Sequence, residues 1–325
     1  MNCYILGVIS LFSHFDNSSA NLRKELKLNS IDKNHEIASS LDDAKSDFRL
    51  SKNTSRKIVF LEKLDSTKHS AITIGEITSN INTLSDVKTD KPTGKIKTNG
   101  IVTYRIFFTG KIEKQIPKII KKGNENKYKY VYIDKKCNEF DLGDYTFKKT
   151  PVYRGTKDEF VNLINLEEVP KYFKKGNHQY HFNIDSERSY VNERTLASFF
   201  GAMLEVNYLD ISCNGFSHED GSSRPSRSHI NGNNGDFKYL RINKTMKCGS
   251  GTSLNISKSP AVLDVTRQNK WIDALYKFGW KQMLGWSYTI DKKTEYLHHI
   301  THKTKNHHHH LHVQSYEPQF KEIKL

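Results

Sequence analysis

The aromatic residues of this chain are spread so unevenly that they decide where a core can form. Of its 36 Phe, Tyr and Trp residues, only Phe48 and Phe60 fall within residues 16–100, whereas 31 fall within residues 101–325. Aromatic side chains dominate core burial, each covering roughly 150–250 Å². A packed core therefore belongs to the C-terminal two-thirds. Residues 16–100 are rich in Ser, Thr, Asn, Lys and Asp and read as a polar, poorly ordered region, closing in a flexible linker around SDVKTDKPTGKIKTNG. The expected organisation is a polar N-terminal region and linker over 1–100, a β-rich basic accessory segment over 101–185, and a second folded unit over 186–325.

From residue 101 the pattern changes. IVTYRIFF, KYKYVYI and YTFKK mix β-branched and aromatic residues with alternating polar ones, which suits half-buried strands. Asn192 is placed to cap a helix carrying Leu196, Phe199, Phe200, Met203 and Leu204 at helical spacing. YLDISCNGF reads as a strand leaving it. A second amphipathic helix is expected over roughly 268–284, turning Trp271, Leu275, Phe278 and Met283 inward, and WSYTI and HLHVQSY read as closing strands. The fold class is α+β, with a small antiparallel sheet flanked by helices in the C-terminal unit.

Lys and Arg number 51 against 36 Asp and Glu, a formal charge of +15. That balance suits an anionic polymer or surface, and it also serves solubility. No run approaches the ~18 apolar residues of a membrane helix, so no span is expected. Cys3, Cys137, Cys213 and Cys248 form no CxxC pair, which argues against a cysteine-ligated zinc finger. Cys213 and Cys248 could bridge in an oxidising compartment. MNCYILGVISLFSHF has an apolar stretch but neither a preceding basic residue nor a cleavage signature, so it makes no convincing signal peptide.

Two segments carry chemistry. PSRSHINGNNGD, residues 225–236, places His229 and Asp236 seven positions apart, with Gly232 and Gly235 between them to let the loop turn back. HHHHLHV, residues 307–313, ends in His310-Leu311-His312, whose two imidazoles share one face of a strand. Zn²⁺ accepts imidazole nitrogen and carboxylate oxygen, and a catalytic site keeps three protein ligands and one open position. His229, Asp236 and His312 supply that number, with His310 as a neighbouring acid or base. Each piece alone is weak: H-x₆-D arises by chance, and eight of the 15 histidines lie between His298 and His312, so some serve structure or solvent.

Together the segments resemble the zinc peptidases that group lysostaphin-type enzymes, D-Ala-D-Ala peptidases and the hedgehog signalling domain. The resemblance is nearest to the penicillin-insensitive murein endopeptidase branch. Ser226, Ser228, His229, Gly232 and Asp236 fall on its S-x-S-H-x-x-G-x-x-x-D motif, and His307, His310 and His312 on its H-x-x-H-x-H motif. Gly235 departs from the Ala, Asp or Val common before the metal aspartate. The resemblance spans roughly residues 186–316. It implies one Zn²⁺ per chain held by His229, Asp236 and His312, with His310 as general base. His307 and His309 are possible additional site histidines, and His308 or His309 could take the role given to His310. It also implies substrate contacts from Arg224 or Ser226, for which ordinary loop chemistry is the plainer reading of the serine.

The implied activity is hydrolysis of an amide bond in cell-wall stem or crosslink peptides, by an enzyme exported to the periplasm, secreted or delivered into a target cell. Peptidoglycan peptides would be its partners, with a secretion machinery or immunity protein if it is an antibacterial effector or lysis enzyme. No nucleic-acid partner is expected. Two other readings stay open. One is a non-catalytic wall- or metal-binding module on the same scaffold. The other is a metal-dependent nuclease, suggested by YLHHITHKTKN but lacking the spacing of such sites.

Overall fold

Alternation of inward and outward side chains builds the first sheet. The computed structural model describes residues 100–325 apart from Pro225 and Ser250, so the expectations for residues 1–99 lie outside the described residues. β1 (Val102–Phe107), β2 (Lys111–Ile116), β3 (Lys127–Ile133) and β4 (Glu139–Thr146) follow one another. Val102, Tyr104 and Ile106 of β1 and Tyr128, Tyr130 and Tyr132 of β3 are buried at period two. Tyr104 and Tyr130 stack with ring centroids 5.2 Å apart.

Short strands β5 (Lys148–Pro151), β6 (Phe160–Asn165), β7 (Tyr172–Lys175), β8 (His178–Ile184) and β9 (Tyr190–Asn192) lead into helix α1 (Glu193–Val206). The Asn192 side chain accepts from the Arg194 N–H, and Asn207 ends the helix in the left-handed region. Nearly the whole circumference of α1 is buried because it lies between layers. Phe200 packs on Tyr130 and Tyr145 of the first sheet, while Phe199 meets Phe182, Phe216 and Phe237 on the other side.

The remaining elements are β10 (Ile211–Gly215), β11 (Gly235–Lys238), helix α2 (Val265–Lys277), β12 (Trp280–Leu284), β13 (Ser287–Ile290), β14 (Lys293–Tyr296), β15 (His310–Tyr316) and β16 (Gln319–Lys324). They complete a mixed α+β fold dominated by strands, with two α-helices among the described residues. One sheet runs β16-β2-β1-β3-β4; a six-stranded sheet runs β12-β15-β11-β10-β8-β7; β5-β6-β9 and β13-β14 are smaller.

Several expectations need correction. The six-stranded sheet is not wholly antiparallel, because β8 and β10 pair in parallel on either side of the α1 crossover. The second helix stops at Lys277, since Gly279 at φ 131° turns the chain into β12. Trp271, Leu275 and Phe278 are buried as expected, but Met283 reaches the core from a strand. WSYTI joins the separate β13-β14 ribbon rather than the main sheet, and β16 follows HLHVQSY to pair in parallel with β2. Cys213 and Cys248 are both free: the first is buried, the second exposed.

Candidate metal centre

Strand register brings the two sequence segments together. β11 and β15 pair antiparallel with Asp236 opposite His312 and Lys238 opposite His310, so both histidines of His310-Leu311-His312 and the aspartate share a neighbourhood. His229 reaches them from a loop that turns through a short 3₁₀ segment, Ile230–Gly232. Gly232 holds φ 69°, and a Cβ there would lie 2.4 Å from the backbone nitrogen of Asn192. No other residue fits so close to the N-terminus of α1. Gly235 has a local reason too: a Cβ would sit 2.8 Å from the Phe216 ring.

The three candidate ligands converge. His229 Nε2 lies 3.1 Å from Asp236 Oδ1, His312 Nδ1 lies 2.8 Å from the same oxygen, and the two nitrogens are 2.9 Å apart. All three residues are buried. Atoms of this kind, one of them anionic, stay this close only with protons or a metal ion shared among them. Around zinc, ligand atoms at about 2.0–2.1 Å in tetrahedral array would stand about 3.4 Å from one another. The cluster reaches that spacing by opening a few tenths of an ångström. A buried His229, Asp236 and His312 cluster can therefore hold a metal ion.

Protonation suits ligation. Burial pushes His229 down to about 4, against the pull of Asp236. Burial also drives His310 well below the usual imidazole range. For Asp236, burial pushes upward but is outweighed by His229, His310 and its hydrogen bonds, which hold the carboxyl well below its usual range. Near neutrality His229 and His310 are therefore neutral imidazoles beside an ionised Asp236 carboxylate, the states metal ligands adopt.

The other expected site residues fall into two groups. His310 Nε2 lies 3.6 Å from Asp236 Oδ1, and its side chain keeps 16% exposure, more than any of the three ligands. His307 is buried, donates from Nδ1 to the Lys305 carbonyl, and packs its ring 4.8 Å from His310. His309 meets His310 edge to face with ring centroids 4.6 Å apart and has a buried Nδ1 without a partner, while His308 turns aside to Trp286. Arg224 and Ser226 are not drawn into the cluster. Arg224 is exposed and gives its carbonyl to His218, and the Ser226 hydroxyl pairs with Ser228, so the serine does ordinary loop chemistry.

Sequence reading missed two residues. Arg188 sits with Nη1 3.1 Å from His229 Nδ1 and Nη2 3.4 Å from Asp236 Oδ2, anchored on the Asn214 carbonyl. Guanidinium only donates, so His229 Nδ1 accepts here. Ligation through His229 Nε2 would put a hydrogen on Nδ1 and turn Arg188 toward its other two acceptors. No periodicity or motif marks Arg188. Gln314 lies 3.0 Å from His312 Nε2, and its place two residues beyond His312 on one strand face was a usable signal. A groove of about 490 Å³ lined by Tyr132, Phe140, His178 and Glu205 at the far end of α1 includes none of these residues.

No protein-family model matches this chain, and neither a curated protein nor a solved structure does.

Proposed function

We propose that this protein is a zinc-dependent peptidase that hydrolyses an amide bond in peptidoglycan stem or crosslink peptides. The observation that carries this reading is the convergence of His229 Nε2, Asp236 Oδ1 and His312 Nδ1 to within 2.8–3.1 Å, with the mostly buried His310 beside them. The order of the two motifs along the chain supports it. Zinc bound there would supply Lewis-acid activation of water and polarisation of the scissile carbonyl.

The chain's own residues divide the remaining work. His310, neutral near pH 7, takes a proton from the attacking water at Nε2 and returns it to the departing amine, so that water and amide become carboxylic acid and amine. His307, ring to ring with it, limits the rotamers that imidazole can adopt. Arg188 provides a fixed positive charge within 3.4 Å of Asp236, where it can turn to negative charge developing on the carbonyl oxygen. The net charge of +15 favours encounter with a wall polymer bearing free carboxylates.

The test is paired. Metal content of the purified protein should show one zinc per chain, and purified peptidoglycan incubated with it should yield new muropeptides carrying a fresh amine and carboxylate. Both should vanish with a chelator and return with added zinc. Zinc bound with an unchanged wall would refute the peptidase reading for that substrate, and absence of bound metal would refute the centre itself.

A further inference from the structure

His312 has two ring nitrogens, and only one tautomer directs a lone pair toward Asp236 and His229. The residue facing the other nitrogen is Gln314, whose Oε1 lies 3.0 Å from His312 Nε2 in a buried setting. Its amide is not free to turn independently. Gln314 lies directly opposite Gln282 across the β12-β15 pair, and its Nε2 donates to Gln282 Oε1 at 2.7 Å. The Ser315 hydroxyl donates to the same oxygen at 3.3 Å. Consecutive strand residues ordinarily point to opposite faces. Ser315 holds φ 55°, which brings its hydroxyl round to the amide that Gln314 already uses. With Gln282 Oε1 taking hydrogens from both neighbours, Gln314 turns its nitrogen outward and its oxygen toward His312.

We propose that Gln314, oriented by Gln282 and Ser315, is a positioning residue that keeps the His312 hydrogen on Nε2 and so leaves Nδ1 available to a metal ion. The inference rests on the metal-centre reading above and deepens it. The alternative tautomer places the hydrogen on Nδ1, where it would bond Asp236 across 2.8 Å and close the site to a cation. A partner that holds the far nitrogen of a ligating imidazole is worth about 10–100-fold in metal affinity, because it fixes both ring angle and tautomer.

The experiment compares the wild type with Gln314→Met and Gln314→Glu. Methionine has similar length but is at most a weak acceptor, whereas glutamate keeps an oxygen facing Nε2. Zn²⁺ affinity is measured by competition with a chelator, and imidazole ¹⁵N resonances of the Zn²⁺-loaded wild type report which His312 nitrogen carries hydrogen. The proposal expects Nε2–H in the loaded wild type, about 10–100-fold weaker binding in Gln314→Met, and binding within about threefold of wild type in Gln314→Glu. Metal-free melting curves check that the variants fold. If Gln314→Met melts early, the nitrogen assignment in the wild type decides alone. Binding by Gln314→Met within about threefold of wild type, or a metal-bound His312 Nε2, overturns the proposal while leaving the metal centre standing. A wild type that binds no Zn²⁺ overturns the centre first, and the proposal with it.

Discussion

Lys238 offers the most quantitative test of how the wall beside the candidate centre is held. Its residue is 6% exposed, and its ammonium donates to the Asp185 carboxylate, to Thr252 Oγ1 at 2.7 Å, and to the Lys247 and Gly249 carbonyls at 3.1 and 3.4 Å. One cation on β11 thereby ties down the loop that follows it. Just past that loop, the Ile256 N–H donates to the His308 carbonyl at 2.9 Å, so its position bears on the histidine run. Lys238→Met keeps the aliphatic stem and removes the charge.

Removing one partner of a buried ion pair costs about 3–5 kcal/mol. Asp185 keeps 18% exposure and retains the Gly249 N–H at 2.8 Å, which argues for the lower end, about 3 kcal/mol. For a folded unit of this size that lowers the melting temperature by about 6–12 °C. The assay is a double-mutant cycle by urea and thermal unfolding, with Lys238→Met, Asp185→Leu and the pair. The pair should be less destabilised than the sum of the single variants by about 2 kcal/mol, because no charge is left alone. Limited proteolysis should cut residues 243–252 faster in Lys238→Met. A single-variant cost under about 1 kcal/mol, or strict additivity, would refute the reasoning.

Other outcomes follow from the proposed centre and from the packing around it. Asp236→Asn removes the only anionic ligand, and zinc should fall from one per chain to a trace by elemental analysis; retention of a full equivalent would exclude Asp236 from the centre. His310→Gln should keep its zinc while losing about 10²–10⁴-fold in muropeptide release, and unchanged turnover would rule it out as the base. Glu193 is buried with Oε2 unpartnered, and burial raises its carboxyl above the ordinary range. The folded state therefore binds the proton more tightly, and stability should fall as pH rises above the unfolded carboxylate value of about 4.3. Glu193→Gln should flatten that slope and stabilise the protein at neutral pH; an unchanged slope in urea melts would disprove it. Gly232→Ala meets both the left-handed backbone and the Asn192 nitrogen, so it should cost more than about 1 kcal/mol and weaken zinc binding together.

The parts of this architecture legible in sequence are those encoded within a few residues. Asn192 and the apolar spacing after it specify α1, and the tyrosines of KYKYVYI specify β3, because cap and period are local signals. His310 and His312 share a face for the same reason. The second helix was overextended because Met283 continues the helical spacing of Trp271, Leu275 and Phe278, and only the turn at Gly279 ends the helix before it. β16 was missed because QFKEIK is short and polar, and its partner β2 lies some 200 residues away. Arg188 escaped notice because a loop arginine acquires meaning only when folding sets it against His229.

The pairing of β16 with β2 also sets a clock. A ribosome adding about 5–20 residues per second needs on the order of 10–40 s between making residues 111–116 and making residues 319–324. Throughout that interval β2 presents an unsatisfied edge to its surroundings, an invitation to pair with another nascent chain. β15, bearing His310 and His312, is made only seconds before the strand that closes that edge. The histidine strand of the candidate centre and protection from aggregation are thus acquired almost together, and conditions that slow translation should raise the aggregated fraction.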